Sequence, residues 1–344
     1  MSEQLPVGRG FTPEELAERF VVVEATPYEN PSLGFRTMVL KDWKHDVVTA
    51  ETPDLNAVHL KPLGVFFGQP EGGSAPYIQV QAILLRKSIT AANWLRWIAL
   101  STDRHLLQLV ELSPVFADTL VEFAVDGVPF KGRAAARIDR NRVFYVFAFG
   151  PAAVYRDYAE TFGVAVSSFK LLDVDPSANI ESLQPMNGPG SLRFAYPASW
   201  RPLVKDQVPP GRQAVDLYNF DDEDNLNGLI RLKSLEKGRG DDSDTLLRTL
   251  KEEFSEAGLS LGTQLHVASM PIEESGVDRF INGRYLFFAA SIRETGLAQE
   301  LWASLFEDES FYYGVALLTP AKENQFYVWA INSRAYQLIL GSLS

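Results

Sequence analysis

The 344-residue chain has no cysteine, which excludes disulfides, thiolate catalysis, iron–sulfur clusters and cysteine-based zinc sites together. Histidine is scarce as well: His45, His59, His105 and His266 are all there is. None has a second histidine three or four residues away, so the helical H-E-x-x-H metal motif is absent. A histidine metal site would need convergence from distant parts of the chain, and no metal is expected. No stretch approaches the ~18 consecutive apolar residues of a membrane-spanning helix. The N-terminus, Met1-Ser2-Glu3-Gln4-Leu5-Pro6-Val7-Gly8-Arg9-Gly10, lacks the basic start and apolar run of a secretory signal. The expectation is a cytoplasmic protein with no membrane span. Cations are also short, 32 Lys plus Arg against 44 Asp plus Glu, net charge -12, which argues against a nucleic-acid backbone as partner. The phosphate-binding loop, the G-x-G-x-x-G fingerprint and the G-x-S-x-G nucleophile elbow are missing too. No catalytic residue and no cofactor is assigned.

What is present is ordinary globular composition, 46% hydrophobic and 22% charged. At ~100–200 residues per domain the length fits two domains, and the chain repeats itself. Leu33 to Trp43 alternates as a strand and ends in Asp-Trp, and Ser191 to Trp200 does the same and ends in Ser-Trp. Tyr77 to Leu85 precedes a helical stretch at Thr90–Leu100, as Asn227 to Leu235 precedes one at Ser243–Ala257. Val125-Asp126-Gly127-Val128 carries a tight-hairpin signal, matched to Ile281-Asn282-Gly283-Arg284. Val143–Phe149 is an aromatic strand stopped by Gly150-Pro151, matched to Phe311–Leu318 stopped by Thr319-Pro320. Each half closes on a long helix, Ala152–Leu171 and Lys322–Leu343.

This is a tandem duplication. The first domain is placed at 1–173 with an N-terminal helical arm begun by Thr12-Pro13-Glu14-Glu15. A linker rich in chain breakers follows at 174–189, and the second domain at 190–344. The offset between copies grows along the chain, which predicts an insertion in the second copy near 293–309. The copies differ in charge: residues 1–173 carry 17 cations and 20 anions, the remainder 15 and 24. Strands outnumber helices and come in hairpins, so each half is predicted to be α+β, one mostly antiparallel sheet packed by helices.

The aromatic strands are apolar on both faces. Val143, Tyr145, Phe147 and Phe149 alternate with Phe144, Val146 and Ala148, and Tyr313, Val315 and Leu317 alternate with Tyr312, Gly314 and Ala316. Leu286-Phe287-Phe288 adds another such run. A sheet with helices on one side shows polar residues on its open face. The second face is therefore covered, either by the protein's own elements or by a partner segment in an apolar groove. For the groove, the candidate partner-binding residues are Tyr145, Phe147, Phe149, Phe287, Tyr313, Val315 and Leu317.

The order of elements resembles the PsbP-like superfamily. The resemblance is carried by Gly34-Phe35 to Trp43, Gly127, Phe144 to Pro151 and Tyr155 to Leu171 with Val166-Ser167-Ser168-Phe169. In the second copy it is carried by Ser191 to Trp200, Gly283, Phe311 to Pro320 and Tyr336 to Leu343. One departure stands out: Leu40-Lys41 precedes the first tryptophan where the second copy has Pro197. The resemblance implies two PsbP-like domains and a binding or assembly module without a catalytic centre. Within the superfamily an acidic, bacterial-looking chain without a signal is similar to the effector-associated chaperones of type VI secretion, which shelter hydrophobic helices of a secreted effector. The expected function is a non-enzymatic protein-binding adaptor or chaperone whose partner offers a hydrophobic helix or effector segment. The alternatives are a structural subunit of a bacterial assembly and a hydrolase with its site in the cleft between the halves.

Overall fold

A computed structural model describes residues 11–48, 59–68, 75–175, 180–204, 212–238, 241–269 and 280–344. The chain divides into two compact units, Met1–Ile180 and Glu181–Ser344.

In the first unit, α1 (Pro13–Arg19) begins with a capping box: the Thr12 hydroxyl accepts the Glu15 N–H, and the Glu15 carboxylate accepts the Thr12 N–H. It runs directly into β1 (Phe20–Ala25), which pairs with β2 (Phe35–Leu40). The main sheet is built from β3 (Lys44–Val47), β4 (Lys61–Phe67) and β5 (Tyr77–Leu84), then α2 (Ala91–Ser101) as a crossover. The chain returns through β6 (His105–Ser113), β7 (Phe116–Val125), β8 (Val128–Asp139) and β9 (Arg142–Pro151). The strand order is β3-β4-β5-β9-β8-β7-β6, antiparallel throughout. Helix α3 (Tyr155–Ser168) and a short β10 (Lys170–Leu171) follow, and β10 pairs with β2.

The second unit repeats this plan. Its small sheet is β11 (Leu183–Asn187) with β12 (Arg193–Pro197). The main sheet takes β13 (Trp200–Val204), β14 (Arg212–Phe220), β15 (Leu226–Glu236), α4 (Ser243–Glu256), β16 (Leu259–Ser269), β17 (Ile281–Ile292), β18 (Ala298–Glu307) and β19 (Phe311–Pro320), closed by α5 (Phe326–Gly341). Its order is β13-β14-β15-β19-β18-β17-β16, the same path as in the first sheet. Even the latch at the end of the last helix recurs. Ser168 Oγ accepts the Met38 N–H and Ser342 Oγ accepts the Ala195 N–H, each at 2.9 Å.

Three sequence expectations are corrected by this topology. Residues 293–309 are not an insertion: they hold β18, the counterpart of β8. The turn equivalent to Asp126-Gly127 lies at Gly296, since Gly127 and Gly296 both sit at positive φ, 77° and 72°. Asn282-Gly283 instead marks a bulge, where the register against β18 slips between Ile281 and Arg284. The extra length falls between β16 and β17, where the first copy needs only Pro114 and Val115; residues 270–279 there lie outside the described residues. The linker is shorter than 174–189 as well. Residues 183–187 form β11, because Met186 packs against the second unit's core, and residues 176–179 lie outside the described residues.

Each main sheet carries a helix on both faces. In the first unit α3 covers the face of Phe144, Val146 and Ala148, with Phe162, Ala165 and Val166 in the same core, while Trp94 of α2 meets Tyr145 on the other face. In the second unit α5 covers the face of Tyr313, Val315 and Leu317, and α4 places Leu246, Leu250 and Phe254 with Leu301, Leu305 and Ala316 on the other. Both apolar faces of β9 and β19 are thus covered within the chain over most of their length.

A buried polar knot pins α5. Asn332, 0% exposed, accepts from Asn219 Nδ2 at 2.6 Å and donates to the Asn227 carbonyl at 2.8 Å and Thr319 Oγ1 at 3.0 Å. Buried amides left without such partners cost about 1–3 kcal/mol each. Asn332→Leu is expected to lower stability by about 2–3 kcal/mol, read as an earlier urea midpoint with unchanged slope; a midpoint equal to wild type would show the knot to be dispensable.

Candidate functional site

The sequence-selected residues separate into core and surface. Tyr145 and Phe147 are 2% exposed, and Tyr313, Val315 and Leu317 are 0% exposed. These five do not line an open groove; their own unit's helices cover them. They also fall on different faces. Ladder pairing sets Val80 against Val146 and Leu232 against Val315, so Tyr145 and Phe147 correspond to Gly314 and Ala316 on the α4 side. Of the seven, Phe149 and Phe287 reach the surface, one at each of two half-open corners.

The first corner is an aromatic ladder in the first unit. Nine rings, Trp97, Trp94, Tyr145, Phe147, Phe149, Tyr77, Phe67, Phe123 and Phe130, follow one another at 4.6–6.4 Å between centroids. The ladder starts on α2 itself and runs out past its cover, because α2 lies along β6, β7 and β8 and does not extend over β4 and β5. Phe67 and Tyr77 are consequently half-exposed, and Phe149, Phe123 and Phe130, toward the far ends of their strands, are half-exposed as well. Gly132 makes room for the stack: a Cβ there would sit 2.7 Å from both Phe147 and Phe149.

Arg104 sits on this ladder. Its guanidinium lies 4.4 Å from the Phe147 ring centre and 5.4 Å from that of Phe123, and donates to the Tyr145 hydroxyl at 2.8 Å. Burial pushes the Tyr145 phenol up to about 12, with the Arg104 charge and hydrogen bond working against that rise. Beside these rings, Asp103, Arg104, His105, Glu122, Phe123 and Phe130 wall a cleft of about 500 Å³.

The second corner lies on the α5 side of the second sheet. Helix α5 runs along β12, β15 and β19, leaving the β16–β17–β18 end of that face half-open. Phe287 meets Trp302 edge-on at 5.0 Å, and Trp302 meets Trp329 of α5 at 5.7 Å. The Glu300 carboxylate accepts from Trp302 Nε1 and Trp329 Nε1, both at 2.9 Å, and from the Lys322 N–H at 3.1 Å. Leu265, His266, Phe287, Glu300 and Trp302 line a cleft of about 260 Å³.

Both corners are only partly legible in the sequence. Phe123 and Phe130 are a cross-strand pair on a hairpin with two central residues, so counting outward from Asp126-Gly127 finds them. Glu300 and Trp302 were hidden because their segment read as an insertion. Among the remaining histidines, His45 packs near Phe66 at 6.2 Å and His59 is exposed. Among the described residues, no group of three or more His, Asp or Glu is placed to hold a metal ion, and no helix is long and apolar enough to cross a membrane.

No protein-family model and no curated protein matches the chain. Among solved structures it is similar to cyanobacterial PsbP (CyanoP) from a Synechocystis species, at 13% identity and a TM-score of 0.33, over 48% of this chain and 99% of that one. It is similar also to the immunity protein TplEi of the type VI secretion system from Pseudomonas aeruginosa, at 11% identity and a TM-score of 0.22, over 94% of this chain and 96% of that one. A chain of the Tle4–Tli4 complex matches at 11% identity and a TM-score of 0.23, with the same coverage. At these values the matches do not fix a family for the chain.

Proposed function

We propose that this protein is a non-enzymatic protein-binding adaptor or chaperone, a tandem pair of α+β units that holds an apolar segment of a protein partner on the aromatic corner of its first unit. The observation that carries this reading is the nine-ring ladder, buried through Trp94, Tyr145 and Phe147 and half-exposed from Phe149 outward. Half-exposed aromatic clusters beside an arginine are the composition of interaction hot spots. A rigid sheet supplies them without ordering cost, since the buried rings already hold the exposed ones in place. An amphipathic helix suits the corner: its apolar face meets Phe149, Phe123 and Phe130, and an acidic residue at its margin meets Arg104. The likeness of the sequence to effector-associated chaperones supports a secreted effector as the source of that segment.

Affinity purification of the tagged full chain from its host, with mass spectrometry, tests the reading. One protein bearing an amphipathic apolar helix is expected in fixed ratio. The double variant Phe123→Asp, Phe130→Asp is expected to lose at least about tenfold of it, with an unchanged melting curve. Undiminished recovery by the folded variant would overturn the assignment of the ladder.

Core and corner are separable by the same logic. Tyr313→Asp places a charge where the side chain is fully buried, at a cost of roughly 4 kcal/mol or more. Thermal melting is expected to show the second unit unfolded or strongly destabilised. A near-native melt would mean that the α5 face opens readily.

A further inference from the structure

We propose that the cleft on the second unit is a seat for an arginine side chain of the protein partner. The inference deepens the protein-binding reading by naming what a second contact recognises. It begins from a substitution between the copies. Strand β8 pairs Lys131 with Gly150 and Arg133 with Ala148, and β18 pairs Glu300 with Thr319 and Trp302 with Leu317. With Val146 and Val315 equivalent, Lys131 therefore stands where Glu300 stands, and Arg133 where Trp302 stands.

In the first unit this position is filled by the chain's own cations. The Lys131 ammonium lies 5.3 Å from the Tyr155 ring centre, and Arg133 Nε reaches both oxygens of Asp118 at 3.1 Å. Tyr155 and Trp329 are equivalent, since the helices align on the Ser168 and Ser342 latches. In the second unit neither strand cation is retained, and Lys322 places its ammonium over the Trp329 ring instead. Tryptophan and glutamate replace the strand cations, and a cleft of about 260 Å³ stands beside the new side chains.

Glu300 is held ready for a cation. Two indole N–H groups and one backbone N–H fix its carboxylate, yet no cation among the described residues lies within ion-pair distance of it. The rings of Phe287 and Trp302 wall the cleft together with Leu265, His266 and Phe288. A planar guanidinium satisfies both features at once, stacking on a ring while donating to the carboxylate. Lys322 already illustrates the attraction, with its ammonium 4.7 Å from the Trp329 ring centre. The half of the chain that bears the cleft is also the more acidic, 15 cations against 24 anions from residue 174 onward, which favours a basic visitor.

The test titrates N-acetyl-L-arginine amide into the full chain and follows indole fluorescence, with neutral N-acetyl-L-citrulline amide as the isosteric control. Saturable binding in the millimolar range is expected, roughly fivefold or more tighter for the arginine compound, weakened by added salt and without signal in Trp302→Phe. Glu300→Gln, checked for folding by circular dichroism, is expected to bring the two compounds to about equal affinity. If that variant does not fold, Phe287→Leu is expected to weaken arginine binding about threefold. Equal binding of the citrulline control to wild type, or undiminished arginine binding by folded Glu300→Gln, overturns the seat. A silent titration beside a partner lost through Phe123→Asp, Phe130→Asp sinks the seat and leaves the protein-binding reading standing. A clear arginine signal with no recoverable partner sinks the ladder assignment and leaves the seat.

Discussion

Everything in this fold follows from a strand that is apolar on both faces. β9 and β19 sit fourth in seven-stranded sheets, and neither of their faces can be left to water. Each unit answers with one helix per face, the crossover helix on one side and the closing helix on the other. One helix lies along two to four strands of such a sheet. Two helices for two seven-stranded faces leave corners only half-covered, and those corners are where the molecule can meet something else.

The copies differ in their contacts beneath the crossover helix. In the first unit Trp94 rests on Tyr145, and the ring stack extends sideways from that contact. At the corresponding place in the second unit Leu246 and Leu250 pack directly on Gly314, and no stack begins. That face instead holds a buried ion network, Asp216 with Arg231 at 2.6 and 2.7 Å and Arg231 with Glu253 at 3.1 Å, together with the Lys233–Glu253 pair. Such networks are costly to break, because removing one partner leaves a buried charge uncompensated. On the opposite face the first unit keeps Asp118–Arg133 under α3 where the second has Tyr285 and Trp302. Charge and aromatic surface have traded places between the duplicates.

Much of the architecture was legible in the residues. The α4 stripe Leu246, Leu250, Phe254, the Thr12 capping box and the Asp126-Gly127 turn report local geometry, and the structure has all three. The Asn282-Gly283 dipeptide misled, because the same residue pair serves a bulge as readily as a hairpin turn. That single misalignment turned β18 into an apparent insertion and hid Glu300 and Trp302. The candidate groove failed for a related reason: alternation shows that a face is apolar, not whether a helix from the same chain lies on it.

The sequence by itself determined the duplication, the α+β class, the antiparallel pairing and the double-faced central strands, since these rest on periodicity and turn chemistry within a few residues of one another. Only the tertiary structure decided which of the apolar side chains are core and which are surface. Exposure depends on where the ends of α2 and α5 fall relative to strands distant in sequence. Tyr145 and Phe149 lie four residues apart on one strand face, and the reach of one helix separates a buried ring from an available one.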